Sequence, residues 1–346
     1  MRTALSHRGV QAALVAAALF GAGTPLAKLL LGDVSPWMLA GLLYCGSGGL
    51  VLIRLARRAP RVRLARSEWL PLAGAVLFGG IIGPVLLMVG LANLPASGAS
   101  LLLNAEGVFT ALLAWVVFRE NFDRRVLLGM IAIVAGAVVL SVPVGADLGS
   151  PWPSLAVLGA CLAWGLDNNL TRKVALTDAS WLAAVKGSVA GPVNLALAFA
   201  LGAHLPAAGN IAAALVVGFF AYGVSLVLFI VGMRHVGTAR AGAYFSVAPF
   251  FGALLALALG EPFTWPLLIA GALMALGVWL HLTEHHAHPH HHEPISHDHW
   301  HTHDAHHRHD HPAPVPDGTR HSHVHTHEAI SHTHDHFPDV HHRHLH

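Results

Sequence analysis

A chain of 346 residues that is 54% hydrophobic and 11% charged, with a mean hydropathy of +0.57, carries more apolar sequence than one aqueous core can bury. That excludes an ordinary soluble globular protein; with no Walker loop and no nucleophile motif, it also argues against an enzyme or a self-sufficient ATPase. The net charge of +2 rests on 29 histidines that titrate near neutrality, so it excludes little. The partners expected are the lipid bilayer and a small-molecule or ion substrate, not nucleic acid, with a homodimer allowed.

The first twenty residues have the charged start and apolar centre of a signal peptide, but the apolar run continues through "GAGTPLAKLLL" to a length that spans a bilayer. It reads as an uncleaved first helix. Nine more apolar segments follow between polar punctuation. The ten run about Gly9–Leu31, Ser35–Ile53, Trp69–Leu91, Ala96–Phe118, Val126–Val142, Trp152–Leu170, Trp181–Ala203, Ile211–Met233, Ala239–Leu259 and Trp265–Leu282. Short loops and unbroken apolar runs favour helices over a barrel, whose strands would alternate polar and apolar residues. Cys45 and Cys161 lie inside such runs and read as small buried hydrophobes.

Lys and Arg mark the loops after segments 2, 4, 6 and 8: Arg54, Arg57, Arg58, Arg61, Arg63 and Arg66, then Arg119, Arg124 and Arg125, then Arg172 and Lys173, then Arg234 and Arg240. The other five loops hold no Lys or Arg, and their charged residues are acids such as Asp33, Asp147 and Glu261. The positive-inside rule then predicts a multi-pass protein of the inner (plasma) membrane with both termini cytoplasmic.

Internal similarity comes next. A shift of 144 lays Phe20–Leu29 on Trp164–Lys173 and Trp37 on Trp181; a shift of 142 lays "ALLA" at Ala111 on "ALLA" at Ala253. Several matches in order near one offset predict a duplication of five segments. Five is odd, so the second copy enters the membrane from the other side, as an inverted repeat.

The segments "FGAGTPLAK", "GVFTALLAWVVFREN" and "PFFGALLALALGEP" resemble the EamA-type transporters of the drug/metabolite transporter superfamily, a resemblance that covers about Gly9–Leu282. It implies ten helices with cytoplasmic termini, a cavity between the repeats, and export or exchange of amino acids and similar metabolites. Two departures stand out: Gly107 sits where the first repeat usually has proline, and beside it Glu106 is an acid that the pattern does not demand.

The fold class expected is therefore an all-α polytopic membrane protein of ten transmembrane helices in two inverted five-helix repeats, plus a disordered His-rich tail. The boundaries fall at 1–142, 143–283 and 284–346.

Glu106 lies near the middle of segment 4, where an unpaired carboxylate costs about 2.5–3.5 kcal/mol on insertion scales. It reads as a cation or proton site, against the plainer alternative of a protonated or hydrogen-bonded carboxyl. Asn104 shares its helix. Asp167, Asn168 and Asn169 form a polar cluster late in segment 6, where an interfacial carboxylate beside Arg172 and Lys173 competes with a functional one. Lys186 sits about five residues inside segment 7, close enough to snorkel or to pair with Glu106; Lys28 reads as a snorkelling side chain. The substrate or coupling candidates are Glu106, Asn104, Asp167, Asn168 and Lys186. Pro25, Pro84, Pro192 and Pro249 interrupt apolar helices, and Trp37, Trp152, Trp181 and Trp265 fall at segment ends as an interfacial belt.

Between His281 and His346 there are 26 histidines among few apolar side chains, a composition that favours disorder. Their H-x-H spacing places two imidazoles together on an extended backbone, and imidazole suits Zn, Ni, Co and Cu. The candidate ligands are His297, His299, His301, His303, His306, His307, His309, His311, His321, His323, His325, His327, His332, His334 and His336. No cofactor is required for transport. Two functions stay open: a gradient-driven secondary transporter of small metabolites with a metal-responsive tail, or a transition-metal transporter whose tail collects or delivers the cargo.

Overall fold

The computed structural model describes residues 8–58, 62, 64, 66–118, 124–141, 151–171, 178–236 and 244–282, and the backbone of 287–292, 295–301, 321–327 and 330–335. The chain divides into two units, Met1–Glu284 and His285–His346.

Among its described residues the first unit is built of helices joined by turns and short loops, with no strand. Segment 1 is α1 (Arg8–Leu30), and segment 2 is α2 (Pro36–Gly48) running into α3 (Leu50–Ala56). Segment 3 is α4 (Trp69–Ala75), a π-helical stretch (Val76–Ile82) and α5 (Gly83–Ala92). Segment 4 is α6 (Ala96–Leu102) and α7 (Ala105–Phe118), and segment 5 is α8 (Arg124–Ser141). Segments 6 and 7 are α9 (Trp152–Thr171) and α10 (Ala179–Ala200). Segment 8 is α11 (Ala208–Gly218), a second π-helical stretch (Phe219–Val224) and α12 (Ser225–Val236). Segments 9 and 10 contain α13 (Ala248–Ala258) and α14 (Trp265–Leu282).

Helix thus occupies each of the ten apolar segments. Among the described residues six helical runs are long and apolar enough to cross a membrane, and three shorter apolar helices accompany them. Large apolar side chains such as Leu70, Val116, Ile131, Val138, Leu254 and Leu276 face outward, while Lys186, Asp167 and Asn194 are buried. Water would penalise that distribution; lipid tails accept it, because the backbone polar groups are already satisfied inside each helix. The chain is a polytopic membrane protein.

Two irregularities recur at one spacing. The π-helical stretches begin at Val76 and Phe219. Segment 4 breaks at 103–104 and segment 9 at 246–247. Each second feature lies 143 residues after the first, inside the 142–144 range of the sequence offsets. Proline follows the irregularity in segments 3 and 9: Pro249 stands in the first turn of α13 after the break, and Pro84, just after the π-helical stretch, offers no N–H to the carbonyls of the turn before it. Pro25 and Pro192 sit inside α1 and α10.

Packing repeats the same pattern. The most extensive helix contacts join α2 to α10 and α8 to α14, and the contacts of α1 with α12 and α13 are matched by those of α9 with α5 and α7. Phe20 and Trp164, one offset of 144 apart, meet edge-on with ring centroids 6.2 Å apart. The α2–α10 crossing is closed by glycines: a Cβ on Gly187 would run into the backbone of Gly48 and the carbonyl of Tyr44. The main apolar core gathers Met38, Leu43, Leu87, Met88, Leu102 and Val157 from both halves.

In the second unit the described residues form two antiparallel two-stranded ladders: β1 (Ala287–His292) with β4 (Ile330–Asp335), and β2 (Ile295–His301) with β3 (His321–His327). The physical reason lies in the period-two alternation of histidine with residues such as Ser, Thr and Val, which suits a pleated ladder even though it buries little surface.

Candidate functional site

The charged centre of the membrane unit is built by α9 and α10. Lys186 Nζ donates to Asp167 Oδ1 and Oδ2 at 2.5 and 2.7 Å, and to Thr171 Oγ1 at 3.2 Å. Thr171 Oγ1 in turn donates to Asp167 Oδ1 at 2.8 Å. Asp167 and Thr171 are one helical turn apart, so a single face of α9 presents both oxygens to the lysine. Both charged residues are buried, at 7% and 9% exposure. The Glu106–Lys186 pairing that the sequence allowed is therefore corrected: Asp167 takes the lysine, because the helix rotation that buries it also aims it at α10.

Glu106 belongs to a neighbouring group. It lies in the first turn of α7, directly after the break in segment 4, where the unsatisfied N–H groups of a helix start favour an anion. Asn168 Nδ2 donates to Glu106 Oε1 at 2.8 Å and to Thr110 Oγ1 at 3.2 Å. Asn169 Nδ2 donates to the carbonyls of Thr110 and Gly165. Adjacent residues Asp167 and Asn168 thus serve two partners, one from each half of the chain. Glu106 is half-buried and Asn168 exposed, so this side of the cluster is open.

Asn104 does not join them. Its Nδ2 donates to Leu101 O at 2.9 Å and lies 3.8 Å from Met274 Sδ on α14. Its Oδ1 is buried without a protein partner. It satisfies the end of α6 at the break rather than the charged cluster.

The first π-helical stretch supplies a third part. Its widened turn leaves the Gly79 carbonyl to accept from Tyr44 OH at 2.5 Å and Trp164 Nε1 at 3.0 Å, and the Gly80 carbonyl to accept from Asn194 Nδ2 at 2.9 Å. Gly79 also lies against the Asp167 carboxylate, where any side chain would collide. The rings of Tyr44 and Tyr222, 5.4 Å apart, bring the second π-helical stretch to the same place. Sequence reasoning passed over Tyr44, Thr110, Thr171 and Trp164. The available signal was a tyrosine deep in an apolar run, whose hydroxyl must find a partner when buried.

Each end of the bundle carries its own polar tie. Lys28, expected to snorkel, instead donates from Nζ to the carbonyls of Leu91 and Ala92 at the end of α5. Glu261 accepts from the N–H groups of Ala96 and Ser97 at 2.6 and 2.9 Å. At the opposite ends of the segments, Arg54 Nη1 donates to Asp178 Oδ1 at 2.8 Å and to Ser180 Oγ. Asp178 also caps α10, accepting from the N–H groups of Ser180 and Trp181.

Partial burial pushes the Asp178 carboxyl up, but the hydrogen bonds from Ser180, Trp181 and Arg54 outweigh it and hold the group at about 2, below its ordinary 3.8. A depressed folded-state value contributes stability above the unfolded value and loses it as pH falls through the folded one. The melting temperature of the chain should therefore exceed that of Asp178→Asn by a constant margin from neutral pH to about pH 5, with the margin shrinking between about 4 and 2.

Arg172 and Lys173, expected beside Asp167, lie outside the described residues, as do His303, His306, His307, His309, His311 and His336. His297, His299 and His301 fall in β2, His321, His323, His325 and His327 in β3, and His332 and His334 in β4. Cys161 is fully buried and Cys45 half-buried, both as free thiols. An apolar groove between Cys45, Gly49, Leu215 and Phe219 holds no charged side chain and is separate from the cluster.

The comparisons with known proteins agree with this geometry. An uncharacterized transporter of Methanothermobacter thermautotrophicus is 30% identical over 292 residues, which cover 77% of this chain and 84% of that protein. A crystal structure of a protein 21% identical superposes with a TM-score of 0.60 over 78% of this chain and 95% of the other, a likeness of fold. The EamA-like transporter family matches twice, over residues 7–142 and again over 151–283. With both halves matched, and a relative named as a transporter covered to more than two thirds, the chain belongs to the EamA-like transporter family.

Proposed function

We propose that this protein is a gradient-driven secondary transporter that exports small, amino-acid-like metabolites by alternating access. In this reading ten helices form two inverted five-helix repeats, and both termini lie in the cytoplasm. The observation that carries it is the joint origin of the charged cluster: Glu106 and Thr110 come from the first half, Asp167, Asn168, Thr171 and Lys186 from the second. A site assembled across two halves changes shape when the halves move, which is what alternating access needs.

The 143-residue recurrence of π-helical stretches and helix breaks supports the repeat. The 142 offset of the "ALLA" match sets Pro249 opposite Gly107, so the first half carries glycine, beside the acid Glu106, where the second has a proline. The polar ties support two closed ends: Glu261 and Lys28 at one, Arg54 and Asp178 at the other. Each is a few hydrogen bonds, weak enough to open and reform.

In this mechanism Glu106 is the coupling or substrate-amine group, with Asn168 and Thr110 fixing its orientation. The Asp167–Lys186 pair offers both charges to a zwitterion while leaving no net charge in the bilayer when empty. Glu106→Gln keeps the shape and the Asn168 contact but removes the negative charge. Cells expressing it and preloaded with a mixture of labelled amino acids should lose about tenfold or more of the protein-dependent efflux. Cellular Zn, Ni, Co and Cu should stay unchanged by the substitution. A shift in metal content with efflux unaffected would transfer the cargo to a metal ion.

A further inference from the structure

We infer that the β2–β3 ladder is a histidine-faced binding site for divalent transition-metal ions, formed by two antiparallel strands whose register puts seven histidines on one face. The pairs along the ladder are Ile295 with His327, His297 with His325, His299 with His323 and His301 with His321. Directly paired residues of antiparallel strands share a face, and residues two apart on a strand share it again. One face therefore carries His297, His299, His301, His321, His323, His325 and His327, with Ile295 as its eighth position. The opposite face carries Ser296, Asp298, Trp300, Ser322, Val324 and Thr326 and no histidine.

Register decides this outcome. A slip of one residue would send the β3 histidines to the face opposite those of β2. The connection between the strands, residues 302–320, is far longer than the tight turns that fix hairpin register. The β1–β4 ladder pairs about the same midpoint, His311, and gathers five of its six histidines: His288, His290, His292, His332 and His334 share a face with Ile330, and His291 lies on the other. Two ladders in phase on histidine are unlike the overlapping, equivalent ligand sets of an unstructured polyhistidine run.

The chemistry follows from spacing. Two adjacent rungs, His297 with His325 and His299 with His323, place four histidines on one face of the ladder, at rungs about 5 Å across and about 7 Å apart along the strand. Zinc takes four nitrogen ligands at about 2.0–2.1 Å in a tetrahedron, and imidazole is equally a ligand for Ni, Co and Cu. An isolated two-stranded ladder is at best marginally stable in water. Ions that bind the paired form stabilise it, so pairing and metal binding are coupled. This inference is independent of the transported cargo.

The test uses the full-length protein in detergent, titrated with zinc against a competing chelator, with amide exchange followed by mass spectrometry. One variant replaces His297, His299, His323 and His325 by serine; a second replaces His306, His307, His309 and His311. The first should weaken the tightest zinc by about tenfold or more, the second by less than about threefold. Zinc should slow exchange in 295–301 and 321–327 of the native chain and not in the first variant. Equal weakening by the two variants, or zinc binding with no slowing in those strands, overturns the proposal.

Discussion

Lys186→Met should lower the stability of the membrane unit by about 3–5 kcal/mol, and Asp167→Asn by a similar amount, whereas the double substitution should recover most of the loss. Each single change leaves one formal charge at a site where both residues are at most 9% exposed. The Coulombic attraction that offset its desolvation is then gone, and Thr171 Oγ1 cannot replace it. Removing both charges removes both desolvation penalties, and side chains of similar length keep the volume filled. Thermal unfolding in detergent reads the three variants directly. If the double variant were as unstable as either single one, the pair would not be the self-contained ion pair described here.

Gly187→Ala should be nearly as damaging, because even one methyl group has nowhere to go. Its Cβ would overlap the backbone nitrogen and Cα of Gly48 and the carbonyl of Tyr44. Backbone cannot rotate aside as a side chain can, so α2 and α10 must separate along the most extensive contact of the fold. Overpacking of this kind costs about 1–3 kcal/mol or more. The control is Gly209→Ala in α11, where nothing lies within 4 Å. It should be neutral or slightly stabilising, since alanine is the better helix former. Comparable melting temperatures for the two variants would mean that α2 and α10 do not approach this closely.

Much of this architecture was legible in the sequence because lipid imposes a length. Trp152–Leu170 was expected and Trp152–Thr171 is found; Trp69–Leu91 was expected, and helix runs from Trp69 to Ala92. The helix irregularities recur at 143 residues, inside the 142–144 range of the side-chain matches. What lay hidden was local backbone departure inside apolar runs. No glycine or proline stands at the break at Leu103–Asn104; Pro84 marked the irregularity of segment 3, but not that the Gly79 and Gly80 carbonyls of its widened turn accept from Tyr44, Trp164 and Asn194 on other helices.

The charged residues were legible, but their pairing was not. Glu106, Asp167, Asn168 and Lys186 stand out as polar groups in apolar segments. Which of two carboxylates takes the lysine depends on helix rotation and on the four-residue step from Asp167 to Thr171 that presents both oxygens. Asn104 looked like a member of the same cluster by proximity in sequence, yet its amide closes the end of α6. In the tail, composition argued for disorder, and pairing of one strand with another is a non-local fact that composition does not carry.

The central claim is that metabolite transport passes through a charged cluster shared by the two halves. The most direct measurement is counterflow in proteoliposomes: vesicles preloaded with unlabelled mixed amino acids, with entry of the labelled mixture followed over time. The native chain should accumulate label well above empty vesicles. The Asp167→Asn, Lys186→Met double variant, folded by the thermal criterion above, should accumulate no more than empty vesicles. Native-level counterflow by the folded double variant would contradict the account, because the path would then lie elsewhere in the helical unit.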